Sequence, residues 1–180
     1  MIRIRPVAAI ARPLFKGLIV VGLFATLSQP IMADTSVVTV NQMKNFGVQR
    51  CIQQWQDINA FLSDGIRTLG SHAITNANAP DDRMAAAVLE LDFSDQSVIS
   101  IVSVSPTVGG GCDYTMTRIF QSEQHCASDA MESEGSIQGT LTRRVIRTQN
   151  DYASRYHVPT LDGEQCIRVT VENGFVPADN

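Results

Sequence analysis

At 180 residues the chain has room for one domain with its own core, and 44% apolar content excludes wholesale disorder. Its 14 Lys and Arg against 18 Asp and Glu exclude a general nucleic-acid binder, whose surface must be basic to meet phosphates.

Arg3, Arg5, Arg12 and Lys16 precede an apolar run from Leu18 to Leu27, and no acidic residue occurs before Asp34. Ser28-Gln29-Pro30-Ile31-Met32-Ala33 follows, ending on a small residue. This is the order of a secretory signal, with an apolar core far shorter than the roughly 20 residues of a membrane span. The expected cut lies after Ala33, although Ile31 occupies a position where Ala is favoured. No cysteine follows the cut to take a lipid, and no Arg pair marks twin-Arg export. Residues 1–33 are therefore read as a signal peptide and 34–180 as a single exported domain, periplasmic or secreted. Nothing after the signal is long and apolar enough to span a membrane, so solubility is expected. Losing 1–33 removes four basic residues and no acidic one, which leaves ten against eighteen and a net charge of −8.

The exported segment opens on Asp34 to Val40, a short edge strand or ordered tail. A helix is predicted from Asn41 or Asn45 to Ser63. Val48, Cys51, Ile52, Trp55, Ile58 and Leu62 form one stripe at separations of three and four, opposite Gln49, Gln53, Gln54 and Asp57. Asn45 is the expected amino cap and Gly65 the stop, with Gly47 able to delay the start. Trp55 is read as core. Ile66 to Arg83 is interrupted by Gly70, Asn76, Asn78 and Pro80 and reads as a loop, with Asp81 and Asp82 a solvated pair.

A meander follows. Ala87, Leu89, Leu91 and Phe93 alternate along a first strand, and Ser94-Asp95-Gln96 turns into a second. Val98 to Val104 is apolar on both sides between serines, the pattern of a strand central in its sheet. After Pro106 and Gly109-Gly110-Gly111, Cys112 to Phe120 forms a third strand. The glycine run lacks the Lys-Ser or Lys-Thr of a phosphate loop and opens a strand, so it is read as a connection. Gln121 to Glu134 is polar and acidic, a loop or a short helix from Ser128. Ser136 to Thr148 alternates as a fourth strand. Its end carries Arg143, Arg144 and Arg147, the only basic cluster after the signal. They are candidate contacts for an anion or a partner's carboxylate, with internal ion pairing as the competing use. Asn150 to Pro159 has no firm period. Leu161-Asp162-Gly163-Glu164 is a turn into a fifth strand, Gln165 to Val171. No internal repeat is visible.

Four cysteines, Cys51, Cys112, Cys126 and Cys166, in an exported chain imply two disulfides. Of three pairings, Cys112 with Cys126 and Cys51 with Cys166 is the one expected, tying the third strand to the next segment and the helix to the last strand. There is no C-x-x-C pair, and His72, His125 and His157 do not fall at ligand spacing, so neither metal nor cofactor is expected. Gly135-Ser136-Ile137-Gln138-Gly139 places its serine one residue early for a nucleophile elbow, and no catalytic residue can be assigned.

The fold expected is α+β: one N-terminal amphipathic helix on an antiparallel sheet of about five strands, with two disulfides. Acidity, small size and the lack of catalytic motifs point to a non-catalytic module binding an envelope protein, such as an inhibitor or immunity-like protein. The alternatives are a hydrolase-like enzyme without a recognisable motif, or a structural envelope component.

Overall fold

The computed structural model describes residues 38–177 apart from 142 and 143, and these form part of one compact unit. The signal reading on 1–33, the lead up to residue 37 and Arg143 lie outside the described residues; the end of that lead, residues 38–40, is helical where an edge strand or tail was expected.

The first helical stretch is two helices rather than one, α1 (Val38–Asn45) and α2 (Ile52–Ser63). Gly47 makes the break. At φ +87° it adopts a backbone that other residues resist, and it closes α1 with bonds from Gly47 N to Lys44 O and from Val48 N to Met43 O, both 3.0 Å. Asn45 therefore ends a helix instead of capping one. The start of α2 is served from a distance. Asp81 Oδ1 accepts from the amides of Gln49 (2.7 Å) and Arg50 (2.6 Å), and Asp82 pairs with the Arg50 guanidinium at 3.3 Å. The two aspartates read as a solvated pair thus fix a helix start, where negative charge is favoured. Gly65, at φ +74°, follows α2 as expected.

Eight strands form one antiparallel sheet among the described residues, where five were expected. They are β1 (Thr68–Ile74), β2 (Ala85–Asp92), β3 (Ser97–Pro106), β4 (Cys112–Ser122), β5 (Ser136–Thr140), β6 (Ile146–Gln149), β7 (Ala153–Pro159) and β8 (Cys166–Val176). A third helix, α3 (Cys126–Glu132), lies between β4 and β5. The loop expected before Arg83 thus contains a strand, the fourth predicted strand is a hairpin of two, and the aperiodic Asn150 to Pro159 stretch yields β7. The α+β class holds; the single helix and the five strands do not.

The spatial order is β1-β2-β3-β4-β8-β7-β6-β5. Two four-strand meanders, each preceded by a helix, join where β4 pairs with β8. Both of these strands have 11 residues and begin with a cysteine, and Thr117 pairs with Val171 at their shared midpoint. The halves are therefore related by an approximate twofold normal to the sheet, a repeat of architecture that no sequence repeat announces.

The disulfides obey the same relation. Cys51, just before α2, bonds Cys112 at the start of β4; Cys126, opening α3, bonds Cys166 at the start of β8. This overturns the expected pairing, and the extended strand explains why. β4 carries the chain roughly 30 Å from Cys112 to Ser122, whereas bridged Cα atoms lie within about 7 Å. Ser122 is in register with Cys166, so the short link to Cys126 delivers it there. The Cα separations are 5.9 and 4.9 Å.

All three helices lie on one face of the sheet. In the first half Trp55, Ile58 and Leu62 of α2 meet Ala87, Leu89, Leu91, Val102, Val104 and Met116, and Thr39, Gln54, Asn59 and Ser100 are buried in this half too, so Gln54, expected opposite the apolar stripe, is inside. Trp55, at 1% exposure, is core as read. In the second half the residues buried beneath α3 are Asp129, Thr148, His157 and Thr170, together with the Cys126–Cys166 bridge. None of the described helices is long and apolar enough to cross a membrane.

Candidate functional site

Strand residues alternate between faces, so register alone identifies what stands opposite the helices. Ile99, Ile119, Val169 and Tyr156 are consecutive cross-strand partners through β3, β4, β8 and β7. Beside them run Val88, Ile101, Thr117 and Val171, and on the other side Ile167 with Val158. No described helix covers this surface. Ile99 and Ile101 are each 40% exposed and Val88 38%, against 0–1% for Val102 and Leu89 on the helix side. The apolar surface crosses the β4–β8 junction without a break. Glu90 and Asp92 of β2 and Asp113 of β4 share this face, as does Arg147 of β6, which is paired with Tyr156. Apolar side chains thus hold the centre of the uncovered face, with Glu90, Asp92, Asp113 and Arg147 among the charged residues that share it.

The two-sided apolarity of Val98 to Val104 predicts a strand central in its sheet, and β3 lies between β2 and β4. The strand does pair on both edges, but only one of its faces is covered, because the helices all lie on the other.

A second arrangement, under α3, was not foreseen. Arg168 donates from Nε to Asp129 Oδ2 at 3.0 Å and from Nη2 to Asp129 Oδ1. Asp129 Oδ2 accepts from His157 Nδ1 at 2.6 Å. His157 Nε2, on the other side of the ring, meets the Thr148 hydroxyl at 3.1 Å. Ser133 Oγ stands 3.2 Å beyond Thr148 Oγ1. Burial pushes the Asp129 carboxyl up, but the Arg168 guanidinium and His157 outweigh it, and the group is held below the ordinary carboxylate range.

An acid, an imidazole and a hydroxyl in line form the relay of a nucleophilic hydrolase. Here Asp129, His157 and Thr148 all have zero exposure, so the hydroxyl meets no substrate in this conformation. Asp129, His157 and Cys166 also bring ligand atoms within 4.8 Å of one another. That donor set does not suit a cation: the sulfur is in a disulfide, both carboxylate oxygens accept from a guanidinium, and both ring nitrogens are engaged. The arrangement is a satisfied polar core. His157 was visible in the sequence, but its partners lie nine residues before it and 28 before it on other elements, and no spacing rule connects them.

The other sequence candidates disperse. His125 Nδ1 bonds Gly163 O at 2.8 Å, and His72 is exposed on β1. Arg144 is exposed in the β5–β6 turn, whereas Arg147 bonds Gln149 on the uncovered face. The four cysteines are all bridged.

Compared with protein-family models, curated proteins and solved structures, the chain finds no match.

Proposed function

We propose that the protein is a non-catalytic binding module of the cell envelope, holding a protein partner against the uncovered face of its sheet in the manner of an inhibitor or immunity protein. One observation carries this reading: the uninterrupted apolar surface of Ile99, Ile119, Val169 and Tyr156, with Val88, Ile101 and Val171 beside it. The occupant it fits is a partner segment apolar at its centre and basic at its border. Glu90, Asp92 and Asp113 favour such a border, and a net charge of −8 after signal removal would steer a basic partner toward it. The hydrolase alternative would need a hydroxyl within reach of substrate, and the Thr148 hydroxyl that meets His157 is buried.

The test is a photo-crosslinking amino acid placed at Ile101 or, as a control on the helix side, at Phe61, in the full-length chain expressed with its own amino terminus. Amino-terminal sequencing of the exported product should begin at Asp34. The reading expects a one-to-one adduct with a basic envelope protein from position 101 and none from 61. Reconstituted from purified components, that complex should weaken with salt and be lost on Ile119→Asp, with the variant's melting temperature preserved. No adduct at 101, an adduct only with a second copy of the chain, or a complex indifferent to Ile119→Asp would reject it.

A further inference from the structure

The two edges of the sheet are built differently. β5 has five residues, and its register with β6 shifts between Ile137 and Gly139. Gly139 within it and Gly135 before it have φ of +113° and +125°. A short, bulged edge of this kind resists pairing with another chain. β1 has none of these devices. Its seven residues pair with β2 without a break from Thr68 to Ile74, and they include no Pro, Lys or Arg. Among the described residues no strand lies on its outer side. Gln42 of α1 donates to Ser71 O at 3.0 Å, and that oxygen keeps a second lone pair for a strand amide.

Gly70 gives this edge its chemistry. It pairs with Glu90, and a Cβ at Gly70 would sit 3.4 Å from Glu90 Cβ and 3.6 Å from Oε2. The exposed Glu90 carboxylate thus lies against the gap left by the missing side chain, on the outermost strand. No cation pairs with it among the described residues. His72 and Ile74 follow on the same uncovered face, and both are exposed, Ile74 at 53%.

We propose that the outer edge of β1 takes an extended segment of a protein partner as an added antiparallel strand. The segment carries Lys or Arg opposite Gly70 and a β-branched apolar residue opposite Ile74. A basic side chain crossing Gly70 meets Glu90 where any other residue at 70 would place a Cβ. Main-chain bonds along the edge supply affinity, and alternate side chains supply selection. A second copy of this chain would bring the same net negative charge, which disfavours it as the occupant. The inference stands apart from the reading of the sheet face, because a strand can pair with β1 whether or not that face is occupied.

The probe is the capped peptide Ser-Val-Thr-Thr-Thr-Lys-Ser, whose Val and Lys fall opposite Ile74 and Gly70 when it runs antiparallel to β1. Titrated into the purified, oxidised, isotope-labelled protein and followed by NMR, it should shift the β1 amides saturably. Two N-methylated forms, each blocking alternate amides, should differ. One set faces β1, and blocking it should weaken binding at least about tenfold; the other faces water and should change little. Replacing the peptide's Lys by Glu should weaken binding about fivefold, the scale of an exposed charge pair. Glu90→Gln, a change at an exposed position, should abolish that discrimination. No saturable shift, shifts confined to other strands, equal effects of the two methylation patterns, or a Lys preference unchanged in Glu90→Gln would overturn the proposal. So would a β1 edge already closed by a second copy of the chain.

Discussion

Asp129 Oδ2 lies 2.6 Å from His157 Nδ1, and neither side chain has any exposure to solvent. With Arg168 on the far side of the carboxylate, the three groups are held together by charge and hydrogen bonding where the first half of the protein uses Trp, Leu and Val. Removing one member of a buried pair leaves the other uncompensated. Asp129→Asn should therefore cost about 3–5 kcal/mol, out of roughly 5–15 kcal/mol for a whole domain. Ser133→Ala, at the half-buried end of the same chain, should cost only about 1 kcal/mol. Urea unfolding of the two variants checks the ordering.

The same carboxylate gives stability a defined response to acid. Folding lowers the Asp129 carboxyl below its free value of 3.8, so the unfolded chain takes up the proton first. The contribution is complete above that free value and is lost as pH falls through the lower, folded one. Urea midpoints from neutral pH downward should thus fall steeply below about pH 4, and Asp129→Asn should flatten that part of the curve. An unchanged acid slope in the variant would rule out Asp129 as its source.

Non-reducing peptide mapping should recover Cys51 joined to Cys112 and Cys126 joined to Cys166, with no alkylatable thiol in the native protein. The bridges close sequence separations of 61 and 40 residues. Loop-closure arguments put each at roughly 4 kcal/mol. Losing either pair by double Cys→Ser substitution should lower the unfolding free energy read from urea titration by a similar amount. A Cys112–Cys126 peptide would contradict the strand between them.

Leu89 and Ile101 offer a direct comparison of the two faces of the sheet, at 1% and 40% exposure. Leu89→Ala should cost about 2–5 kcal/mol, whereas Ile101→Ala should cost under about 1 kcal/mol. Equal losses would mean that the isolated protein already covers the face assigned to a partner.

What the sequence made legible follows from which interactions are local. The α2 stripe, the alternation of β2 and the Asp162-Gly163 turn all depend on residues a few positions apart, and each was found. The break at Gly47 was half visible, because a lone glycine does not tell a delayed helix start from a stop between two helices. The strand β1 escaped notice because its partner β2 supplies most of what makes it a strand, while its own sequence contains a glycine and a histidine. The disulfides were counted correctly but paired wrongly; pairing is a matter of where strand ends lie, although extending β4 from Cys112 would already have excluded Cys126. For the candidate face, the apolar residues of β3 were in plain view, but their exposure depends on all three helices choosing the same side. Arg168, Asp129 and His157 come from three elements and share nothing recognisable in the linear order.

The twofold arrangement has one more consequence. Each covalent bridge closes within its own half, and nothing covalent crosses the β4–β8 junction except the chain itself, at the short link between Ser122 and Cys126. Pulled apart there, the protein would part along a zip of main-chain bonds while each meander stayed looped on its own sulfur clasp. That seam runs through the middle of the apolar surface. A ligand lying across it would act as a splint, resisting separation of two pieces that the disulfides leave independent.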